Sequence, residues 1–264
     1  MYWYQGKLVE KETLELDIND PALLYGATVF TTMRVYNKSL DSNLTNWQAH
    51  CQRLTGSVEA FNWEPPDWKR LRQGAEFLVE HFPVLRMIIF ADGREWILGR
   101  FLPADLQTKQ DKGISVWVAD APLFRRSLPT YKTGNYLGAW LALQQGIKLG
   151  SKESILIDEK GNWLETSTGN LWGYKQGCWW TPTIAIGILP GIVRSRLINW
   201  LQGKNIAVKE NVWSPDFVRD LEAIAYTNCV MELIPFHSVF HSEVEMSFNP
   251  HHWAFTQLRD YFKG

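Results

Sequence analysis

Cysteine is scarce in this chain: Cys51, Cys178 and Cys229 lie far apart and form no CxxC pair. An odd, scattered set excludes a disulfide framework and reads as reduced thiols in a cytoplasmic protein. An excess of one charge is also lacking. The 27 Lys and Arg are offset by 28 Asp and Glu. No like-charge run exceeds a pair such as Arg125-Arg126, which excludes a basic field or arm for nucleic acid. Lys7, Glu10, Lys11 and Glu12 stand where a signal peptide needs an apolar stretch. The uncharged stretch 176–193 contains Pro182, Pro190 and three glycines, so a membrane-spanning helix is excluded there and buried strand and loop are expected. There is no GxGxxG, GxxxxGK[ST] or GxSxG, so neither a nucleotide cradle nor a nucleophile elbow is supported. His251-His252 has the wrong spacing for one helix face and no third ligand nearby, and no metal site is expected.

The material present is that of an ordinary globular protein, 45% hydrophobic and 21% charged over 264 residues. At about 150 residues per domain, that length gives two domains or one large one. Tryptophan is abundant, 14 in all, which suits either a stacking surface or bulky core packing.

Residues 2–9 read as one strand and 27–36 as a β-rich segment. From Thr45 the period changes. Trp47, Cys51, Leu54, Val58 and Phe61 share one helical face, with His50 and Arg53 on its flank. Pro65-Pro66-Asp67 opens a second helix to about Phe82, and LRMIIF and WILGRFL form a hairpin about Asp92-Gly93. The polar run 103–113 reads as an interdomain linker. Beyond it come the strand ISVWVA, a helix over 134–149, and the hairpins ESILIDEKGNWLET and NLWGYKQGCWWTP. A helix from Pro190-Gly191 buries Ile192, Val193, Leu197, Trp200 and Leu201. Strands near 206–212, 222–229 and 233–240 and a terminal helix from His252 close a mixed α/β chain. No repeating βαβ unit points to a doubly wound sheet.

Taken alone, the residues carry two open questions of chemistry. The helix start at Pro190-Gly191 offers unpaired amides to an anion, or is an ordinary buried helix start. Lys132, between aromatics in YKTGNY, is a desolvated amine suited to imine chemistry, or a lysine reaching to solvent.

YGATVFTTMRVYN, HCQRL, YKTGNYL, WLETSTGNLW, ILPGIVR and YTNCVMELIP occur in this order from Tyr25 to Pro235. Together they resemble the fold-type IV pyridoxal-phosphate enzymes, the class IV aminotransferases and 4-amino-4-deoxychorismate lyases. The resemblance implies a two-domain α/β fold with pyridoxal 5'-phosphate in the interdomain cleft, a small-molecule substrate and a homodimer. It implies an N-terminal domain over 1–103, a linker and first strand over 104–130, and a C-terminal domain over 131–264 carrying the Schiff-base lysine. Lys132 matches that lysine, which also moves the substrate proton. Glu165 matches the carboxylate on the pyridine nitrogen, and Arg53 the arginine of the cofactor phosphate. Ile192 and Val193 match the helix amides that receive the phosphate. Thr227 and Asn228 match a further phosphate or substrate contact, and Tyr136 a partner of the phenolic oxygen.

Within the family, Thr31 stands where aminotransferases usually carry glutamate, and Lys132 to Asn135 keeps a short spacing seen in lyases. Ala27-Thr28 departs from the lyase pattern of aspartate and glycine. The reading is a lyase forming 4-aminobenzoate and pyruvate, a step of folate biosynthesis. A class IV aminotransferase acting on D-amino acids or branched-chain amino acids is the alternative, and a catalytically silent cofactor-binding homologue the second. Tyr25, Phe30, Thr31 and Thr32 would line the substrate pocket, with the Thr31 hydroxyl assisting proton delivery. Arg100, with Arg94 as its rival, would anchor a substrate carboxylate. The tryptophans bracketing Glu165 (Trp163, Trp172), with Trp140, Trp47 and Trp200, are expected to pack rather than stack on ligands.

Overall fold

The computed structural model describes residues 1–263. Met1–Pro103 with Tyr131–Asn135 form one compact unit, and Ala104–Thr130 with the chain from Tyr136 onward form another.

The first unit contains β1 (Tyr2–Tyr4), β2 (Lys7–Val9), α1 (Pro21–Tyr25), β3 (Thr28–Arg34), α2 (Trp47–Ala60), α3 (Trp68–Val79), β4 (Val84–Phe90) and β5 (Glu95–Arg100). Its antiparallel sheet runs β2-β1-β5-β4-β3. Residues 2–9 are a hairpin, not the single strand expected. Gln5 (φ 46°) and Gly6 (φ 78°) are both left-handed, which is the backbone a two-residue turn needs. Asp67 starts α3 by accepting from the amides of Lys69 and Arg70, a side-chain cap. Leu54 and Val58 of α2 and Leu71, Ala75 and Leu78 of α3 pack with Val29, Met33, Leu85, Met87, Ile89 and Ile97 of the sheet. Each fully buried Val, Leu, Ile or Met side chain among these contributes roughly 1.5–3 kcal/mol.

Lys132 belongs to this unit and not to the C-terminal domain expected of it. The Phe30 amide donates to the Lys132 carbonyl at 2.8 Å and the Gly134 amide to the Thr28 carbonyl at 2.6 Å. Val29 and Thr133 form a bridge between them. The open edge of β3 thus pairs with residues 131–135 through an isolated bridge, because unpaired edge groups must find partners.

The second unit contains α4 (Leu106–Lys112), β6 (Ile114–Ala119), α5 (Leu137–Lys148), β7 (Glu153–Ile157), β8 (Trp163–Thr166), β9 (Asn170–Lys175), β10 (Cys178–Pro182), α6 (Ile192–Gly203), β11 (Val208–Asn211), α7 (Pro215–Arg219), β12 (Ala223–Asn228), β13 (Glu232–His241), β14 (Val244–Ser247) and α8 (Phe255–Arg259). The sheet runs β11-β10-β9-β12-β13-β6-β7-β8, with β14 on β13. Pairs β6–β7, β13–β6 and β10–β11 are parallel and the rest antiparallel. The polar run read as a linker folds as α4. Asp105–Lys109 and Gln107–Asp111 pair four residues apart, a spacing that supports a helix. Trp172, Trp179 and Trp213 are fully buried, whereas Trp140 and Trp253 are exposed, so the packing expectation fails at Trp140. Among the described residues no helix is long and apolar enough to cross a membrane.

Candidate active site

Strand alternation decides which side chains of β3 can act together. Val29, Thr31 and Met33 face the helices, and Phe30, Thr32 and Arg34 face the other way. Phe30 is buried, with the Lys132 Nζ 4.7 Å and the Arg86 guanidinium 3.6 Å from its ring centroid. Arg86 lies opposite Thr32 in the β3–β4 register. One sheet face therefore offers an aromatic ring, an amine and a guanidinium within a few ångströms, an arrangement that suits a flat anionic substrate.

Arg86 was not anticipated from the sequence. Its signal was a lone arginine inside the apolar strand LRMIIF, directed to the face away from the helices. Arg100, the expected anchor, is exposed at the end of β5. Arg94, its rival, bonds Asp20, Asp92 and the Tyr4 hydroxyl and so fastens the β4–β5 turn. Tyr25 is 74% exposed on α1.

Thr31 also departs from expectation. It is fully buried, and its hydroxyl lies 2.6 Å from the Nδ1 of His50 on α2. It faces away from Phe30 and Thr32, so it neither lines their pocket nor delivers a proton there. Burial holds the His50 imidazole well below the usual histidine range, and the charges of Arg53 and Lys132 act in the same direction. Arg53 sits one turn beyond His50 on α2.

A pH dependence follows. Below about pH 6.5, the ordinary histidine value, the unfolded chain binds a proton that folded His50 refuses. Folding stability is expected to fall as pH drops through that point, with a slope of up to about 1.4 kcal/mol per unit from this group. Denaturant titrations at pH 7.5 and 5.5 check it: His50→Gln flattens the slope, and an unchanged slope rejects the assignment.

In the second unit, Glu165 on β8 and Arg126 form an ion pair at 2.5 Å with both side chains 5% exposed. The Leu189 amide donates to the other Glu165 oxygen at 3.2 Å. The Arg126 guanidinium lies 4.6 Å from the Tyr136 ring centroid, so that ring is engaged through its face. A cavity of about 230 Å³ opens here, lined by Arg125, Arg126, Leu156, Glu159, Glu165 and Ile186, among others. Arg126 was noticed in the sequence only as half of a basic pair.

Ile192 and Val193 open α6 after Gly191, which supplies no side-chain cap. The first amides of a twelve-residue helix are thereby left to an anion. A Cβ on Gly191 would overlap Asn170 Oδ1, and the Asn170 amide donates to the Leu189 carbonyl at 2.9 Å. Gly191→Ala is expected to displace Asn170 and cost about 1–3 kcal/mol, read as a lowered urea midpoint; an unchanged midpoint means the cradle yields freely. Thr227 is buried and accepts from the Trp172 indole at 3.0 Å. Asn228, the other residue expected at this strand end, uses its side chain within the protein. Its side-chain oxygen caps the turn amides of Val230 and Met231, and its amide donates to the Thr168 carbonyl.

Taken unit by unit, the donors suit pyridoxal phosphate in kind: the first unit carries an amine and a guanidinium, of the chemistry an aldehyde and a phosphate need, and the second carries uncapped helix amides and a buried carboxylate, of the chemistry a phosphate and a pyridine nitrogen need.

The family model for class IV aminotransferases matches residues 28–239. A branched-chain-amino-acid aminotransferase of Escherichia coli is 25% identical over 262 residues, spanning 90% of this chain and 84% of that protein. An aminodeoxychorismate lyase of Vibrio harveyi is 19% identical over 264 residues, spanning 94% of each. The pyridoxal-phosphate-bound form of a hypothetical aminotransferase from Mycobacterium tuberculosis superposes with a TM-score of 0.83 at 20% identity, covering 98% of this chain and 97% of that one.

Proposed function

The chain belongs to the class IV aminotransferase family of pyridoxal-phosphate enzymes, and from that premise we propose that it is a lyase converting 4-amino-4-deoxychorismate to 4-aminobenzoate and pyruvate. The observation that carries this reading is the Phe30 ring flanked by the Lys132 amine and the Arg86 guanidinium. A flat cyclic dianion with an amino group meets an apolar floor, a cation for a carboxylate, and a base. The threonine at position 31, the short Lys132–Asn135 spacing and the near-equal length shared with the Vibrio harveyi lyase favour it within the family.

Bound pyridoxal phosphate supplies an electron sink for the pair left behind when a proton departs. The chain supplies the rest. Lys132 Nζ takes the proton from the ring carbon that bears the amine. The carbon–oxygen bond to the side chain breaks, the ring becomes aromatic, and the released enol takes up a proton as pyruvate. Arg86, with Thr32 beside it, orients the substrate carboxylate. Arg53 and the amides of Ile192 and Val193 would hold the phosphate, with Thr227 as a further contact, and Glu165 would hold the pyridine nitrogen. Tyr136 shapes that end through Arg126.

A homodimer and a cytoplasmic location complete the proposal. Ile18, shortly before α1, and Leu23, Leu24 and Tyr25 on it are exposed, apolar surface that a second copy would cover.

The greater identity to branched-chain aminotransferases favours a second reading, amino transfer. Purified protein given 4-amino-4-deoxychorismate and no keto acid separates the two. Release of pyruvate and 4-aminobenzoate supports the lyase. Glutamate made from D-alanine or a branched-chain amino acid plus 2-oxoglutarate, without that release, assigns the aminotransferase.

A further inference from the structure

Thr31 and His50 join the two elements, β3 and α2, next to the groups expected to meet cofactor and substrate. Phe30, next to Thr31 in β3, donates its amide to the Lys132 carbonyl. The lysine backbone is therefore registered to β3 on one side. On the other side Thr31 reaches α2 through its hydroxyl, 2.6 Å from His50 Nδ1. Arg53 follows His50 by three residues, on the neighbouring position of the same helix flank. Lys132, β3, Thr31, His50 and Arg53 thus form one continuous path within the first unit.

Leu54 and Val58 of α2 also share an apolar core with Val29 and Met33 of β3. Such packing is non-directional and tolerates small slides, whereas a hydrogen bond between two fully buried side chains does not. We infer that the Thr31–His50 bond is a positioning pin that sets the distance between the Lys132 amine and the Arg53 guanidinium, and so matches it to the span from aldehyde to phosphate of the cofactor. The inference rests on the reading above, in which Lys132 takes the aldehyde and Arg53 the phosphate. A ligand held at both ends gains affinity over either end alone only when the two holding groups stand at its own span.

The test uses apo-protein and three probes: pyridoxal phosphate, pyridoxal without its phosphate, and inorganic phosphate. Thr31→Val removes the hydroxyl at nearly constant volume, Thr31→Ser restores it, and His50→Gln alters the partner. With thermal midpoints recorded as the control for folding, Thr31→Val and His50→Gln are expected to weaken pyridoxal phosphate about tenfold to a hundredfold. Each half-probe changes less than about twofold, and Thr31→Ser binds like the parent. Unchanged pyridoxal-phosphate affinity in both folded variants overturns the pin. So does an equal loss for pyridoxal or phosphate alone, which marks local damage rather than a lost span. Borohydride treatment of the loaded parent protein separates the premise: attachment elsewhere than Lys132 overturns the site reading and the pin with it.

Discussion

Lys132→Ala is expected to reduce turnover about a thousandfold or more, the scale of losing a positioned acid–base group together with its nucleophile. Lys132→Arg is expected to be as inactive. Arginine keeps a cation over Phe30 but presents no neutral amine, so the pair of variants separates nucleophile from charge. Neither is expected to disturb the fold, because the β3 edge holds this segment through the backbone of Lys132 and Gly134, which both substitutions leave in place. Turnover in Lys132→Arg within tenfold of the parent would show that charge, and not the amine, is what the site uses.

Glu165→Ala carries the largest expected cost in stability. It strands the Arg126 guanidinium in a position only 5% exposed, and removing one partner of a buried pair costs about 3–5 kcal/mol. That is a large share of the roughly 5–15 kcal/mol by which domains are stable. Glu165→Gln keeps an acceptor for the Leu189 amide and is expected to lose less. Glu165→Leu combined with Arg126→Met removes both charges and is expected to recover most of the stability but none of the activity. Urea unfolding of the apo-proteins reads the first effect and turnover the second. A Glu165→Ala cost below about 1 kcal/mol would show that water reaches the pair.

The same residues show what a sequence reveals and what it conceals. The stripe from Trp47 to Val58 is legible because helix period and burial coincide, and the β4–β5 hairpin because Asp92-Gly93 announces its turn. Lys132, Arg53 and Glu165 stand out through the order of motifs along the chain, though the residues alone left Lys132 ambiguous. Thr31 was misplaced for a local reason: in FTTM neighbouring side chains point to opposite faces of a strand, so Phe30 and Thr32 share a surface that Thr31 does not. Gln5-Gly6 was hidden by the short apolar runs on either side, and α4 by its polarity, since Leu106 is its one buried residue. Arg86 and Arg126 depend on partners far away in sequence, Phe30 and Glu165, and such pairings arise only when the sheets assemble. The side-chain bonds of Asn228 were likewise concealed, because the turn after β12 has amides that need an acceptor and finds it there.

The account stands on one amine at the edge of β3. Protein loaded with pyridoxal phosphate, reduced with borohydride, digested and mapped by mass spectrometry tests it most directly. A pyridoxyl group confined to Lys132, in the peptide containing YKTGNYL, is the predicted result. Its appearance on another lysine, or its absence from a protein that still turns over substrate, would contradict the account.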